Sequence, residues 1–351
     1  MARCGSTYSG RVLLPLQEER AGPFLVRGGG NEGTMTEENP NPQTSWWRSR
    51  GCRITAGVTV TLALLAGATT AIVLGLTADD DASGTSLSGE RDKTRREATL
   101  LSAFYGLDDG LALISNRGIC SGAAGKDGMP VVFSHEIDVD TLQAGDFRVV
   151  SASGAVGNMT CVTPAPADDI GELRTILLVG QFGSAEDQPA TVEIVGDILS
   201  IDGQLNFKGA SVAVTPLEAG PEMVWAEVVP ESQWELGKEA TARPFGGGDG
   251  CPVGTVQVVR VTWAGGVTKL DGGEIDELER VAYKVTLSDP DQGEQEVVPF
   301  AIGDLGDGDN NHELCLDRPG VPLRVSFPAG LLADPNSERN PASSIDIVGA
   351  P

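Results

Sequence analysis

Histidine is almost missing from this chain: His135 and His312 are the only two. Imidazole is the usual general base of hydrolases and a frequent transition-metal ligand, so both chemistries start with few residues to draw on. No G-x-S-x-G turn and no G-x-x-x-x-G-K-[ST] loop occurs, which removes the signals of a serine nucleophile elbow and of a phosphate cradle. His135 follows Ser134 at the end of an expected strand, where alternation sends the two side chains to opposite faces. Aromatics make up only 5%. Basic residues are scarce too, with 25 Lys and Arg against 50 Asp and Glu, a net charge of −25. Such a surface repels nucleic acid and anionic lipid, so no nucleic-acid partner is expected.

Charge of either sign is absent from one stretch, Ile54 to Leu76 (ITAGVTVTLALLAGATTAIVLGL). As a helix it would be about 34 Å long, enough to cross a hydrocarbon core of ~30 Å. Arg48, Arg50 and Arg53 precede it, Asp79, Asp80 and Asp81 follow, and Trp46 and Trp47 lie at the expected interface. The asymmetry predicts one transmembrane helix with the N-terminus cytoplasmic and the C-terminal body extracellular or periplasmic. A cleaved signal ending at Ala66-Gly67-Ala68 or Leu76-Thr77-Ala78 and a buried core helix are the alternatives. Met35 offers a second start. Residues 1–77 carry seven bases and five acids, leaving 18 bases and 45 acids beyond them.

Beyond the span, 78–96 reads as a polar stalk. Residues 97–115 carry Leu100, Leu101, Phe104, Tyr105, Leu111 and Leu113 at helical spacing, which predicts a short helical segment. Then the rhythm becomes that of strands: 130–134, 147–151, 158–162, 174–179, 191–195 and 211–214, followed by 256–263, 281–287 and 296–301. Short runs rich in Val, Ile and Thr between Gly, Asp, Asn and Pro clusters predict an all-β fold. The length suits two modules in tandem, 97–216 and 217–351, after a head (1–53), an anchor (54–76) and a stalk (77–96). Pro216, Pro221 and Pro230 mark the expected linker. The ending of the first module, 191–214, can be laid against 323–347, and 172–176 against 313–316, which points to a duplicated unit.

Four cysteines follow the span, Cys120, Cys161, Cys251 and Cys315. An even number in an oxidising compartment predicts two disulfides, with Cys120–Cys161 and Cys251–Cys315 favoured because each stays within one module. No C-x-x-C spacing supports zinc. Asn158-Met159-Thr160 is a glycosylation sequon, meaningful only in a host that modifies Asn158.

Oxygen ligands are densest in 304–317 (DLGDGDNNHELCLD). Asp307, Asp309 and Asn311 alternate, Glu313 follows, and Asp304 can complete a set for a structural Ca²⁺. The EF-hand pattern fails, because the loop has His312 and Arg318 where Gly and Glu are needed. A solvated acidic turn is the bland alternative. Trp225 and Trp234 could stack on a glycan, whereas Trp263 ends an alternating strand and belongs in a core. Paired carboxylates for glycoside hydrolysis carry no weight by themselves among so many acids.

The stretch PVVFSHEIDVDTLQAGDFRVVSASG, Pro130 to Gly154, resembles the opening of Ig-like repeats of bacterial surface-layer proteins and adhesins. It has a strand ending in Phe-Ser, an acidic Val-Asp-x-x-Thr turn and a Phe-x-Val strand. VEIVGDILSIDGQLNFKG, Val192 to Gly209, resembles their ending, so the likeness spans 130–214. The cysteine pair and an acidic insertion at 165–172 depart from it. The resemblance implies β-sandwich modules used for spacing or adhesion, and it carries over no catalytic residue. The reading is therefore a non-enzymatic, membrane-anchored surface protein for adhesion, presentation or envelope structure, with no cofactor beyond the Ca²⁺ candidate. Its partner would be an unknown surface protein or glycan. A Ca²⁺-stabilised carbohydrate-binding module and an extracellular hydrolase using paired carboxylates are the alternatives.

Overall fold

A computed structural model describes residues 97–234, 248 and 250–349. The head, the 54–76 span and the stalk lie outside the described residues. Among the described residues, no helix is long and apolar enough to cross a membrane. The fold is all-β, with strands in several sheets and few helical turns.

The first half has seven strands: β1 Leu100–Phe104, β2 Asp127–Phe133, β3 Phe147–Ser151, β4 Asn158–Thr163, β5 Thr175–Gln181, β6 Pro189–Ile194 and β7 Ser211–Thr215. Their order is β3-β6-β7-β1-β2-β5-β4. Every neighbouring pair is antiparallel except β1 and β7, which run parallel from Ala103↔Val214 to Phe104↔Thr215. The two arms of this sheet share one core. Met129, Val131, Phe133, Ile176 and Leu178 come from one arm, Phe147, Val149, Val192 and Ile194 from the other. Phe133 meets Phe207 edge to face at 4.9 Å, a geometry favoured by ring quadrupoles.

The expected helix over 97–115 is corrected. Residues 100–104 form β1, and the only helix nearby is a single turn, α1, Ser115–Gly118. Leu100, Ala103 and Phe104 are buried because β1 is an interior strand, between β2 and β7. The spacing of its apolar residues fits a helix, but pairing with 131–133 and 214–215 decides the outcome, a case of tertiary context overriding local pattern.

The first strand of the second half comes earlier than the 256–263 run that the sequence predicts. β8, Met223–Val229, takes about half of the expected 216–230 linker and pairs with β9, Gln257–Trp263. There follow β10 (Thr268–Lys269), a helical turn α2 (Glu277–Ala282), β11 (Lys284–Asp289), β12 (Gly293–Val297), β13 (Ala301–Gly303), β14 (Asn311–Leu316), β15 (Val321–Phe327), β16 (Leu332–Ala333) and β17 (Ser343–Asp346). The helix takes Val281 and Ala282 from the expected 281–287 strand. Its start is fixed by a capping box, Asp276 accepting from Leu278 N while Glu279 reaches back to Asp276 N. The expected 296–301 strand is split between β12 and β13, which lie in different sheets, across Pro299.

Two four-stranded sheets, β12-β11-β15-β17 and β13-β14-β9-β8, enclose the second core of Trp263, Tyr283, Val285, Leu314, Val325 and Phe327. The halves share a topology. β8-β9-β14-β13 repeats β1-β2-β5-β4, and β11-β15-β17 repeats β3-β6-β7. The segments laid against each other in sequence, 191–214 with 323–347, take equivalent places as β6–β7 and β15–β17.

Both favoured disulfides form, Cys120–Cys161 and Cys251–Cys315. They are not equivalent. One ties the segment before β2 to the edge strand β4, the other ties the segment before β9 to the interior strand β14. Asn158 is exposed on edge strand β4.

Candidate functional site

The two halves belong to one compact unit. Their junction is built by loop 164–174, between β4 and β5, facing loop 304–310, between β13 and β14. An apolar sequence would fill such a junction with side chains from a core; here it is filled with charge. Asp169, Glu172, Asp304, Asp307, Asp309 and Glu313 are all buried, together with Arg260.

Arg260 is the organising residue. It lies mid-way along β9 with Glu313 directly opposite on β14, and its Nη2 donates to Glu313 Oε1 at 2.9 Å. The same guanidinium crosses to the first half, giving Nη2 to Ile170 O at 2.9 Å and Nη1 to Gly171 O at 3.0 Å. Its Nε faces Glu172 Oε1 at 3.9 Å. Gly171 has φ +88°, and a Cβ there would sit 2.2 Å from Arg260 Nη1, so only glycine admits this approach.

A second arginine works beside it. Arg174 Nη2 donates to Glu227 of β8 at 3.1 Å, Nη1 donates to Phe133 O and Ser134 O, and the guanidinium lies 4.3 Å from the Trp225 ring centroid. One face of Trp225 is thereby covered from within the molecule. Asn310 Nδ2 completes the seam, donating to Thr175 Oγ1 at 3.2 Å and to Trp263 O at 2.6 Å.

One guanidinium cannot balance this many carboxylates. Carboxylate oxygens of Asp169, Glu172, Asp304 and Asp307 all lie within 4.8 Å of one another. Glu172 Oε1, both Asp304 oxygens, Asp307 Oδ2 and Glu313 Oε2 receive no hydrogen bond. Burial pushes Glu172 up to about 7 and Asp307 up to about 9. Asp304 is driven well above the carboxylate range by burial and then by the charge of Glu172. Buried carboxylates without donors cost free energy, so the cluster needs protons or a cation.

Of the five ligand candidates read from the sequence, the structure brings two into this cluster, Asp304 and Asp307. Asp309 turns instead to Asn311, accepting from its N at 2.8 Å and from its Nδ2 at 2.5 Å. Asn311 Oδ1 accepts from Thr262 Oγ1 at 2.8 Å, and Glu313 is held by Arg260. The loop is not a solvated turn, since Asp304, Asp307, Asp309 and Asn310 are all buried. Sequence reasoning missed Asp169 and Glu172, although the acidic insertion at 165–172 carried the signal. It also missed Arg260, a lone charge inside the apolar run VVRVTW.

The other candidates take structural places. Trp263 is fully buried, and its Nε1 donates to Tyr283 Oη at 3.0 Å, which in turn meets His312 Nδ1 at 2.7 Å. Burial drives the His312 imidazole down to about 3, so it stays neutral in this chain of polar groups. Trp234 Nε1 donates to Val229 O. The expectation that Ser134 and His135 diverge is corrected: Ser134 Oγ and His135 Nδ1 lie 2.9 Å apart. Strand β2 ends at Phe133, so alternation no longer applies. The Ser134 hydroxyl accepts from Thr99 N and lies within donating reach of Glu97 O, which ties it to the start of β1. No protein-family model matches this sequence, and no curated protein matches it.

Proposed function

We propose that the chain is a non-enzymatic surface protein, held by the 54–76 helix with its two β modules outside the cytoplasm. It would serve adhesion, presentation or envelope structure. The observation that carries this reading is the pair of disulfides, one in each half, since such bonds persist in oxidising compartments. The strand orders add support. β1-β2-β5-β4 against β3-β6-β7, repeated in the second half, is the arrangement of an Ig-like sandwich with its ABED and CFG sheets. That agrees with the resemblance over 130–214 to repeats of bacterial surface proteins. The acidic body, self-repelling and soluble, fits the same place.

The buried junction argues against a hydrolase built on its carboxylates. A glycosidase pair needs about 5–9 Å between carboxyls and room for a sugar between them. Here Glu172 and Asp304 are 0% and 1% exposed and their oxygens lie within 4.8 Å, which leaves no space for substrate. The carbohydrate-binding alternative loses one Trp225 face to Arg174.

The reading is tested by expressing the full-length chain and treating intact cells with protease and with a membrane-impermeant maleimide, before and after reduction. Cleavage of the body in intact cells, with Cys120, Cys161, Cys251 and Cys315 labelled only after reduction, is the expected result. A body protected from protease, with those thiols free, would overturn the proposal.

A further inference from the structure

We infer that Asp169 and Glu172 of the first half, with Asp304 and Asp307 of the second, hold one divalent cation, Ca²⁺ by their chemistry, that fastens the halves together. The inference goes beyond the surface-protein reading and stands on the geometry of the junction alone.

Three observations carry it. Four carboxylates from two loops more than 130 residues apart in sequence converge with their oxygens within 4.8 Å. Ca²⁺–oxygen bonds of about 2.3–2.6 Å put ligands on opposite sides of an ion at about that separation. Next, three of the four carboxylates keep oxygens that receive no hydrogen bond. Glu172, Asp304 and Asp307 are 0%, 1% and 4% exposed, yet Glu172 Oε1, both Asp304 oxygens and Asp307 Oδ2 accept no hydrogen bond and face the same small space. Lastly, the nearby donors do not satisfy these oxygens: Arg260 Nε stays 3.9 Å from Glu172 Oε1, too far to hydrogen-bond it. Arg260 spends its Nη groups on Glu313, Ile170 O and Gly171 O, and the Asp169 N–H is spent on Glu172 Oε2. Protons would neutralise these carboxylates one at a time, whereas a cation serves several at one point.

The ligand set selects among ions. All four donors are hard carboxylate oxygens, with no sulfur or nitrogen, which disfavours zinc and copper. Mg²⁺ keeps several waters and an octahedral shell, which a site this deeply buried would have to strip away; Ca²⁺ accepts more protein oxygens in looser geometry.

The consequence is mechanical. The ion sits where loop 164–174 meets loop 304–310, so binding it stabilises only the docked arrangement of the halves. Removing it leaves like charges facing each other across the seam.

The test uses the full-length chain purified in mild detergent, melted in EDTA and in millimolar CaCl₂, with calcium counted by elemental analysis and Tb³⁺ luminescence as a second probe of binding. One ion per chain is expected, with Tm about 5–10 °C higher at a hundred times Kd than in EDTA. Asp304→Asn and, separately, Glu172→Gln should abolish the calcium shift while raising Tm in EDTA, because each removes a buried charge. If either variant fails to fold, the wild-type comparison and Asp307→Asn still decide the matter. Identical melting in EDTA and CaCl₂, a calcium shift kept by the variants, or an equal shift with MgCl₂ would each overturn the assignment.

Discussion

Arg260 Nη1 donates to the main-chain oxygen of Gly171 at 3.0 Å, joining the middle of a strand in one half to a loop of the other. The bond exists because residue 171 has no side chain: its φ of +88° and the guanidinium pressed against its Cα both require glycine. Burying an arginine is tolerable when its charge is paired and most of its donors are used; here two carbonyls and Glu313 take three of its five N–H groups.

Arg260→Met should therefore destabilise the chain by about 3–5 kcal/mol, the usual result of stranding buried carboxylates by deleting their partner. Arg260→Lys should recover little, because a single ammonium cannot reach three acceptors. Urea denaturation with the two halves followed by separate probes would check this. A loss under 1 kcal/mol for Met would show that the arginine does not organise the seam.

Gly171→Ala should cost about 2 kcal/mol or more, from positive φ and from the collision with Arg260. Gly203→Ala is the matched comparison. It also has positive φ, +68°, but nothing lies within 4 Å of its added Cβ, so about 1 kcal/mol is expected. Equal losses at the two sites would mean that the collision relaxes freely.

Replacing both cysteines of either bridge by serine should remove about 4 kcal/mol in the chain-entropy account. The Cys251–Cys315 pair, closing 64 residues against 41 for Cys120–Cys161, should cost slightly more. Denaturant midpoints of the two double variants test both the size and the order.

Asp334 supplies a pH dependence away from the junction. It is buried, accepts from Glu338 N at 2.7 Å through one oxygen and leaves Oδ2 without a donor. Burial raises its pKa to about 7. The unfolded carboxyl ionises near 4, so across pH 4–7 the folded state holds a proton that the unfolded state has lost. Its contribution is complete below pH 4 and falls as the pH rises through 7. From pH 5 to pH 8 the parent should lose on the order of 2 kcal/mol more than Asp334→Asn. Parallel pH profiles for the two would refute it.

What could be read from the sequence was what repeats locally. The strand rhythm located β2, β3, β5, β6 and β7 to within a few residues, because alternating or continuous Val and Ile runs between turn residues leave few other options. β1 and β8 were lost for opposite reasons: LLSAF has a spacing that suits a helix as well, and MVWAEVV sits among prolines that signal a linker. Both are settled by strands far along the chain. The cluster followed the same rule. Asp304 and Asp307 were visible in a dense acidic loop, but their companions Asp169 and Glu172 become neighbours only after both halves fold and meet.

The parallel pairing of β1 with β7 also sets an order of events. Ala103 meets Val214, so β1, the first strand of the described residues, waits for more than 100 further residues before its second edge is filled. Until then Leu100–Phe104 is an open apolar edge, and such edges recruit other chains. Slow closure of so distant a contact is the expected bottleneck of folding. A fragment ending before residue 211 would keep that edge for good, so it should aggregate under conditions in which the full-length chain does not.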